Sequence, residues 1–152
     1  MNKSEIAENN FRTGYNCAQS VLLAFNEEVG LTEDEALRLA SSFGGGMGRL
    51  REVCGAVSAM FMIAGFLEGY TTPNNDEVKA KHYALIQELA EKFKDKHNTI
   101  ICRELLGLEE NSSSPIPSKR TAEYYQERPC EEFIKTAAEI AEKLLYANNR
   151  SF

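Results

Sequence analysis

The sequence has no excess of basic residues. It carries 17 lysines and arginines against 23 aspartates and glutamates, for a net charge of -6, and the acidic residues are spread along the chain. Nucleic acid and anionic membrane surfaces are bound through a basic face. The longest uncharged stretch, 53–67, is too short to cross a bilayer. We therefore expect neither a nucleic-acid partner nor membrane insertion.

The first ten residues lack the features of a secretory signal. They contain no apolar segment and no small-residue cleavage site. We therefore expect a cytoplasmic protein. Thiols are kept reduced in that compartment, so the four cysteines are not expected to form two permanent disulfides.

No segment alternates apolar and polar residues as a half-buried strand does, whereas apolar residues recur at helical spacing throughout. With 152 residues, of which 43% are hydrophobic, the chain is long enough to bury a core of its own. The sequence predicts an all-α fold, a single-domain bundle of about six to eight helices over residues 1–152.

Capping residues and breakers give the expected boundaries. Helix starts are predicted at Ser4, Asn16, Thr32, about Glu52, Thr72–Pro73, Asn98 or Thr99, and Pro129. The first four helices are expected to end near Phe11, before Gly30, at Ala40 and at Leu67, and the short sixth helix at Gly107. A glycine-rich break is predicted at 43–48 and a linker at 111–118.

The four cysteines follow none of the familiar short spacings. The chain has no CxxC, no CxxCH and no paired cysteine–histidine pattern, which excludes a thioredoxin motif, covalent haem attachment and a zinc finger. The two histidines, His82 and His97, are both expected on the surface. Spacing alone therefore gives little information about the chemistry.

The position of the cysteines in the predicted helices is more informative. On the expected boundaries each of the four lies in the first turn of a helix, where unpaired N–H groups and the helix dipole stabilise a thiolate. Arg51, Arg103 and Arg128 are close to cysteines in sequence. A thiolate is both the nucleophile of disulfide exchange and the form that binds metals.

The residues around the cysteines resemble a family of bacterial and archaeal proteins named C_GCAxxG_C_C and described as redox-active. The family's CGAxxG motif is matched by Cys54-Gly55-Ala56-Val57-Ser58-Ala59, with alanine in place of the final glycine. The first cysteine is matched in 14–20, the third in 101–107 and the fourth at Cys130, and the stretch 43–48 also looks like the family. The resemblance covers nearly the whole chain and implies a redox role for the cysteines without specifying a reaction.

Three functions are consistent with this pattern. The first is thiol–disulfide or electron-transfer chemistry, in the manner of a thiol-dependent oxidoreductase, at Cys17, Cys54, Cys102 and Cys130. In that case Cys54 is expected to be the attacking thiolate, with a pKa below the usual value of about 8.5. The second is a metal site, zinc or an iron–sulfur cluster, held by the same four cysteines. The third is a helical interaction protein whose cysteines only pack.

The glycine loop and the apolar fourth helix suggest further contacts. Because backbone N–H groups are accessible where side chains are absent, Gly44, Gly45, Gly46 and Gly48 are candidates for binding a cofactor or facing a thiolate. The expected partner is a redox protein or a small molecule. The fourth helix has no polar face, and a second subunit could cover part of it, so a homodimer is also considered.

Overall fold

The computed structural model of the chain describes residues 1–108 and 114–149. Within these ranges the fold is all-α, as predicted, with eight α-helices of five or more residues and one isolated antiparallel bridge between Val53 and Ile101. The helices are α1 Lys3–Arg12, α2 Cys17–Ala24, α3 Glu33–Ala40, α4 Gly55–Glu68, α5 Asp76–His97, α6 Cys102–Leu106, α7 Ala122–Glu127 and α8 Cys130–Asn149. None of the helices in the described part is long and apolar enough to cross a membrane.

Capping residues define the starts of the first three helices. The side chains of Asn2, Asn16 and Thr32 each accept a hydrogen bond from the backbone N–H three residues later. The side chain at that later position in turn accepts one from the backbone N–H of the cap residue. The prediction of Ser4 as the first cap is wrong, because the Asn2 side chain reaches the N–H of Glu5 while Ser4 lies inside the helix. The expected caps Asn16 and Thr32 are confirmed.

Helices α2, α4 and α8 form the centre of the bundle. Helix α2 packs against α1, α3, α4 and α8, while α8 also contacts α1, α4 and α5. The fully buried large side chains include Phe11, Phe25, Met60, Phe93 and Ile134. Helix α4 is buried along most of its length, although Phe66 near its end is 48% exposed.

Several predicted boundaries are wrong for identifiable reasons. The fourth helix begins at Gly55 and not near Glu52, because the residues just before it are held extended by the bridge to Ile101. The fifth begins at Asp76, because Pro73 lies in a turn and Asn75 accepts the N–H of Val78.

Two further boundaries differ around the short helices. Asn98 has a left-handed backbone and ends α5, so the next helix begins at Cys102, after the extended Ile101, and ends before Gly107 as expected. The second helix ends at Ala24, followed by turns up to Gly30. The predicted linker lies partly outside the described residues, and α7, which follows it, was not expected.

Candidate redox site

The glycine-rich break is a left-handed turn. Gly45, Gly46 and Gly48 have φ values of 66°, 71° and 59°, and Met47 between them has 69°. A left-handed turn costs roughly 1–2 kcal/mol for each residue with a side chain, and glycine avoids that cost. The backbone continues with positive φ at Arg49 and Arg51, which are held in a strained conformation next to the cysteines.

Residues 52–54 and 100–102 pair as two short antiparallel segments, and this pairing places two cysteines on the same face. Cys54 N–H donates to the carbonyl of Ile100 at 2.8 Å, and Cys102 N–H donates to the carbonyl of Glu52 at 2.6 Å. Both residues adjoin the paired positions Val53 and Ile101, so their side chains lie on the same face. Diagonal positions of this kind are about 7–8 Å apart.

Glycine brings Cys17 against the start of α4. A Cβ added to Gly55 would lie 2.5 Å from Cys17 Sγ, so only glycine allows this approach. Gly46 has the same effect on Cys102, since a Cβ there would lie 2.5 Å from the Cys102 Cβ. Cys17 and Cys102 are therefore held against the backbone at positions 55 and 46, where only glycine leaves enough room.

All four cysteines line one cavity of about 280 Å³. Cys17, Cys102 and Cys130 are the first residues of α2, α6 and α8, and Cys54 is the N-cap residue of α4. All four are free thiols, with Cys54 and Cys102 buried and the other two half-buried. The expected position of the cysteines at helix starts is therefore found, although Cys54 precedes its helix.

The predicted glycines are divided between the cavity wall and its support. Gly44, Gly45 and Gly48 line the cavity, together with Gly55, whereas Gly46 is buried behind Cys102. The N–H of Gly45 faces the sulfur of Cys17. The predicted facing of a thiol by the loop's N–H groups is thus found at Cys17 rather than at Cys54.

Burial dominates the electrostatics of three thiols. Burial raises the pKa of Cys54 well above its ordinary value, the neighbouring Cys17 raises it further, and the N–H groups of Val57 and Ala56 only partly oppose this. The expectation of a low pKa at Cys54 is therefore wrong. Burial also raises the pKa of Cys17, against the N–H groups of Gly45, Ala18 and Gly55.

Cys130 is affected in the same direction. Burial, followed by the nearby Cys17 and Cys102, raises the pKa of Cys130 to about 12, while Arg128 and Arg120 lower it. These mutual effects link Cys17 electrostatically to each of the other three cysteines. Cys102 differs in having a cation beside it: Arg51 Nη1 donates to the Cys102 sulfur at 3.7 Å.

The positive charge of the cavity comes from four arginines, Arg49, Arg51, Arg120 and Arg128. Sequence proximity indicated Arg51 and Arg128 correctly, whereas Arg103 does not line the cavity. Arg49 and Arg120 were missed. Arg49 could have been suspected from its place at the end of the glycine loop, but Arg120 follows a linker and gave no signal.

The donor set for a metal consists of sulfur only, since no histidine or carboxylate of the described residues lines the cavity. In residues 1–108 and 114–149 no three potential ligands are close enough to hold a metal ion together. The four cysteines as arranged therefore do not fit a single zinc ion.

Comparison with known proteins gives one family. The family model described as "Putative redox-active protein (C_GCAxxG_C_C)" matches residues 15–144, a range that includes all four cysteines and the glycine loop. No curated protein and no solved structure matches the chain.

Proposed function

Because this chain belongs to the C_GCAxxG_C_C family of redox-active proteins, we propose that the cavity lined by its four cysteines is a thiol–disulfide redox centre in which two of them react. The observation that carries the proposal is that all four line the same cavity, although they lie 28 or more residues apart in sequence. Cysteines that only pack have no reason to converge on one cavity. A shared cavity supports oxidation of two thiols by one small molecule.

Cys102 is the proposed nucleophile. Disulfide exchange requires a thiolate, and a hydrogen bond from a guanidinium stabilises negative charge on sulfur. Arg51 supplies that hydrogen bond to Cys102 at 3.7 Å. Cys54 is less suited, because burial and the nearby Cys17 both raise its pKa.

Cys17 is the proposed resolving cysteine. Its sulfur lies against Gly55 and faces the N–H groups of Gly45 and Gly55, which can stabilise a developing thiolate. Cys17 also raises the pKa of Cys54 and of Cys130, and Cys102 raises the pKa of Cys17. Cys54 and Cys130 then remain protonated at neutral pH, since the pKa of each is raised.

The roles are tested by reacting the reduced protein with a small symmetrical disulfide and identifying the products by mass spectrometry. We expect Cys102→Ser to lose most of the reaction at pH 7. Cys17→Ser should instead accumulate a mixed disulfide on Cys102, because the resolving thiol is missing. Cys54→Ser is the matched control, as a buried cysteine of the same cavity, and should react at close to the wild-type rate.

The opposite pattern would contradict the assignment. If Cys102→Ser reacts like the wild type and Cys54→Ser does not, the nucleophile is Cys54. If no cysteine of the folded protein reacts, disulfide exchange is not the function.

An iron–sulfur cluster is the second candidate, favoured by the four cysteines and the arginines that line the cavity. Thiolate ligands suit such clusters, whose charge the arginines would offset. The cysteines would have to move closer together, since no three potential ligands of the described residues are close enough to hold one metal ion. Anaerobically purified protein should then absorb visible light and contain iron and sulfide. Colourless protein that stays iron-free after reconstitution would exclude the cluster.

A further inference from the structure

The cavity has an unbalanced positive charge. Arg49, Arg51, Arg120 and Arg128 line it, and no aspartate or glutamate of the described residues does. Among the ion pairs formed within residues 1–108 and 114–149, none includes any of these four arginines. The cavity therefore favours an anion over a neutral or cationic molecule.

Two of the arginines have donor atoms without acceptors. Arg51 is only 5% exposed, and while its Nη1 donates to Cys102, its Nε is buried without a hydrogen-bond partner. Arg49 Nη1 is also buried without a partner. Buried guanidinium groups are normally paired, because an unsatisfied charged donor is costly. Both donors lack an acceptor, and both residues line the cavity.

Arg120 has a different role. Its Nη1 donates to the carbonyl of Phe11 at 3.1 Å and to the hydroxyl of Tyr125 at 3.3 Å, and its Nη2 donates to the carbonyl of Tyr15 at 3.0 Å. Its guanidinium also lies over the Phe11 and Tyr124 rings. Arg120 is therefore a structural clamp, and the guanidinium of Arg128 lies over the Tyr124 ring. Arg49 and Arg51 are the two lining arginines with a buried donor that has no partner, so they are the candidate anion-binding groups.

We propose that Arg49 and Arg51 bind a carboxylate of a small disulfide substrate, whose sulfur atoms face the cysteines. The two unpartnered donors match the two oxygens of a carboxylate. A phosphate would bring a third oxygen, for which these two donors leave no partner, into a cavity whose lining includes the apolar Phe11, Leu105 and Phe133. This proposal rests on the proposed thiol–disulfide function and adds the substrate class.

The reaction is balanced without a further reagent. The Cys102 thiolate attacks one substrate sulfur, so that a protein–substrate S–S bond forms, the substrate S–S bond breaks and one thiolate leaves. The departing substrate thiolate takes the proton of the Cys17 thiol, and the Cys17 sulfur then attacks the Cys102 sulfur. This step forms the Cys17–Cys102 disulfide and releases the second substrate thiolate, which takes a proton from water. Two protein thiols are oxidised, and one substrate disulfide is reduced to two thiols.

The substrate class is tested with three symmetrical disulfides that differ in charge. They are 3,3′-dithiodipropionate with two carboxylates, 2-hydroxyethyl disulfide without charge, and cystamine with two ammonium groups. Each rate with the reduced, metal-free protein is divided by the rate of N-acetylcysteine with the same disulfide, because leaving-group pKa values differ. We expect the normalised rate for dithiodipropionate to exceed that for the neutral disulfide about tenfold, the effect of one charged hydrogen bond.

Arginine variants distinguish an effect of Arg49 and Arg51 from a general effect of the protein's positive charge. Arg49→Gln and Arg51→Gln should reduce the dithiodipropionate preference towards one. Arg38→Gln, which removes an exposed arginine on α3, should leave it unchanged. Circular dichroism shows whether Arg51→Gln folds. If it does not fold, Arg49→Gln alone still tests the proposal.

A binding measurement distinguishes failure of this proposal from failure of the proposed function. Suberate has the chain length of dithiodipropionate but no sulfur, and calorimetry should detect its binding to the wild type and a weaker affinity for Arg49→Gln. Equal normalised rates for all three disulfides, with no suberate binding, would overturn the carboxylate site but leave disulfide exchange standing. Suberate binding without reaction of any disulfide would support the arginine site and overturn the thiol function.

Discussion

Gly55 determines how closely Cys17 approaches the start of α4. A Cβ at this position would lie 2.5 Å from Cys17 Sγ and 2.7 Å from the carbonyl oxygen of Phe43. The sulfur can move by side-chain rotation, but the carbonyl cannot. Any side chain at position 55 therefore displaces either Cys17 or the backbone before the glycine loop.

We predict that Gly55→Ala destabilises the protein by about 1–3 kcal/mol, the usual cost of overpacking a well-packed core. Gly65→Ala is the matched control in the same helix, because a Cβ there meets no atom within 4 Å. It should stabilise the protein by roughly 0.5–1 kcal/mol, since alanine has a higher helix propensity than glycine. Urea unfolding measures both, and equal stabilities of the two variants would contradict the steric reading of Gly55.

The chemistry of single residues could be predicted only in part. The cysteines, their position at helix starts and the importance of the glycine loop follow from residue type and capping patterns. The direction of the Cys54 pKa could not be predicted, because it depends on burial by α4 and on the approach of Cys17, which is distant in sequence. The local sequence indicates which backbone N–H groups stabilise a thiolate. It does not show which distant residues bury the sulfur and so disfavour its charged form.

Helices α5 and α8 meet around a histidine. His97 Nε2 lies 2.8 Å from the hydroxyl oxygen of the buried Thr136, and its ring packs between Phe93 and Phe133. Burial and then Lys96 lower the pKa of His97, while Glu132 opposes them. His97 is therefore half-buried, and the expectation that it lies on the surface is met only in part.

This contact predicts a pH dependence of stability. The folded state holds His97 less readily protonated than the unfolded chain, whose histidine pKa is about 6.5. Stability from His97 is therefore fully present above that pH and is lost as the pH falls below it. Thermal unfolding should show a smaller loss for His97→Gln than for the wild type between pH 7 and 5, with His82→Gln as the control. An identical loss in wild type and His97→Gln would contradict this account.

The existence of the helices was easier to predict than their ends. Side-chain caps at Asn16 and Thr32 are local features, so those starts were predicted correctly. The start of α4 was not, because the preceding residues pair with Ile101, far along the chain. Asn98 was misassigned since asparagine both caps helix starts and accepts the left-handed conformation that ends them.

At the scale of the molecule, the cavity is built from parts of the chain that are far apart in sequence. The residues that line it come from the starts of α2, α4, α6 and α8, from the glycine loop, from the segment before α7, and from α1 and α7 through Phe11 and Tyr124. No sequence pattern shows which helix starts converge, so the cavity and its arginines could not be predicted. The single-domain organisation, the cytoplasmic location and the homodimer remain predictions.

The most direct test of a shared redox centre is to map disulfides after oxidation of the native reduced protein with one equivalent of a small disulfide. Remaining thiols are alkylated after denaturation in acid, and peptides are identified by mass spectrometry. We predict one intramolecular disulfide between Cys17 and Cys102, with Cys54 and Cys130 recovered as free thiols. Four free thiols after exposure of the folded protein to the oxidant, or disulfides formed only between molecules, would contradict it.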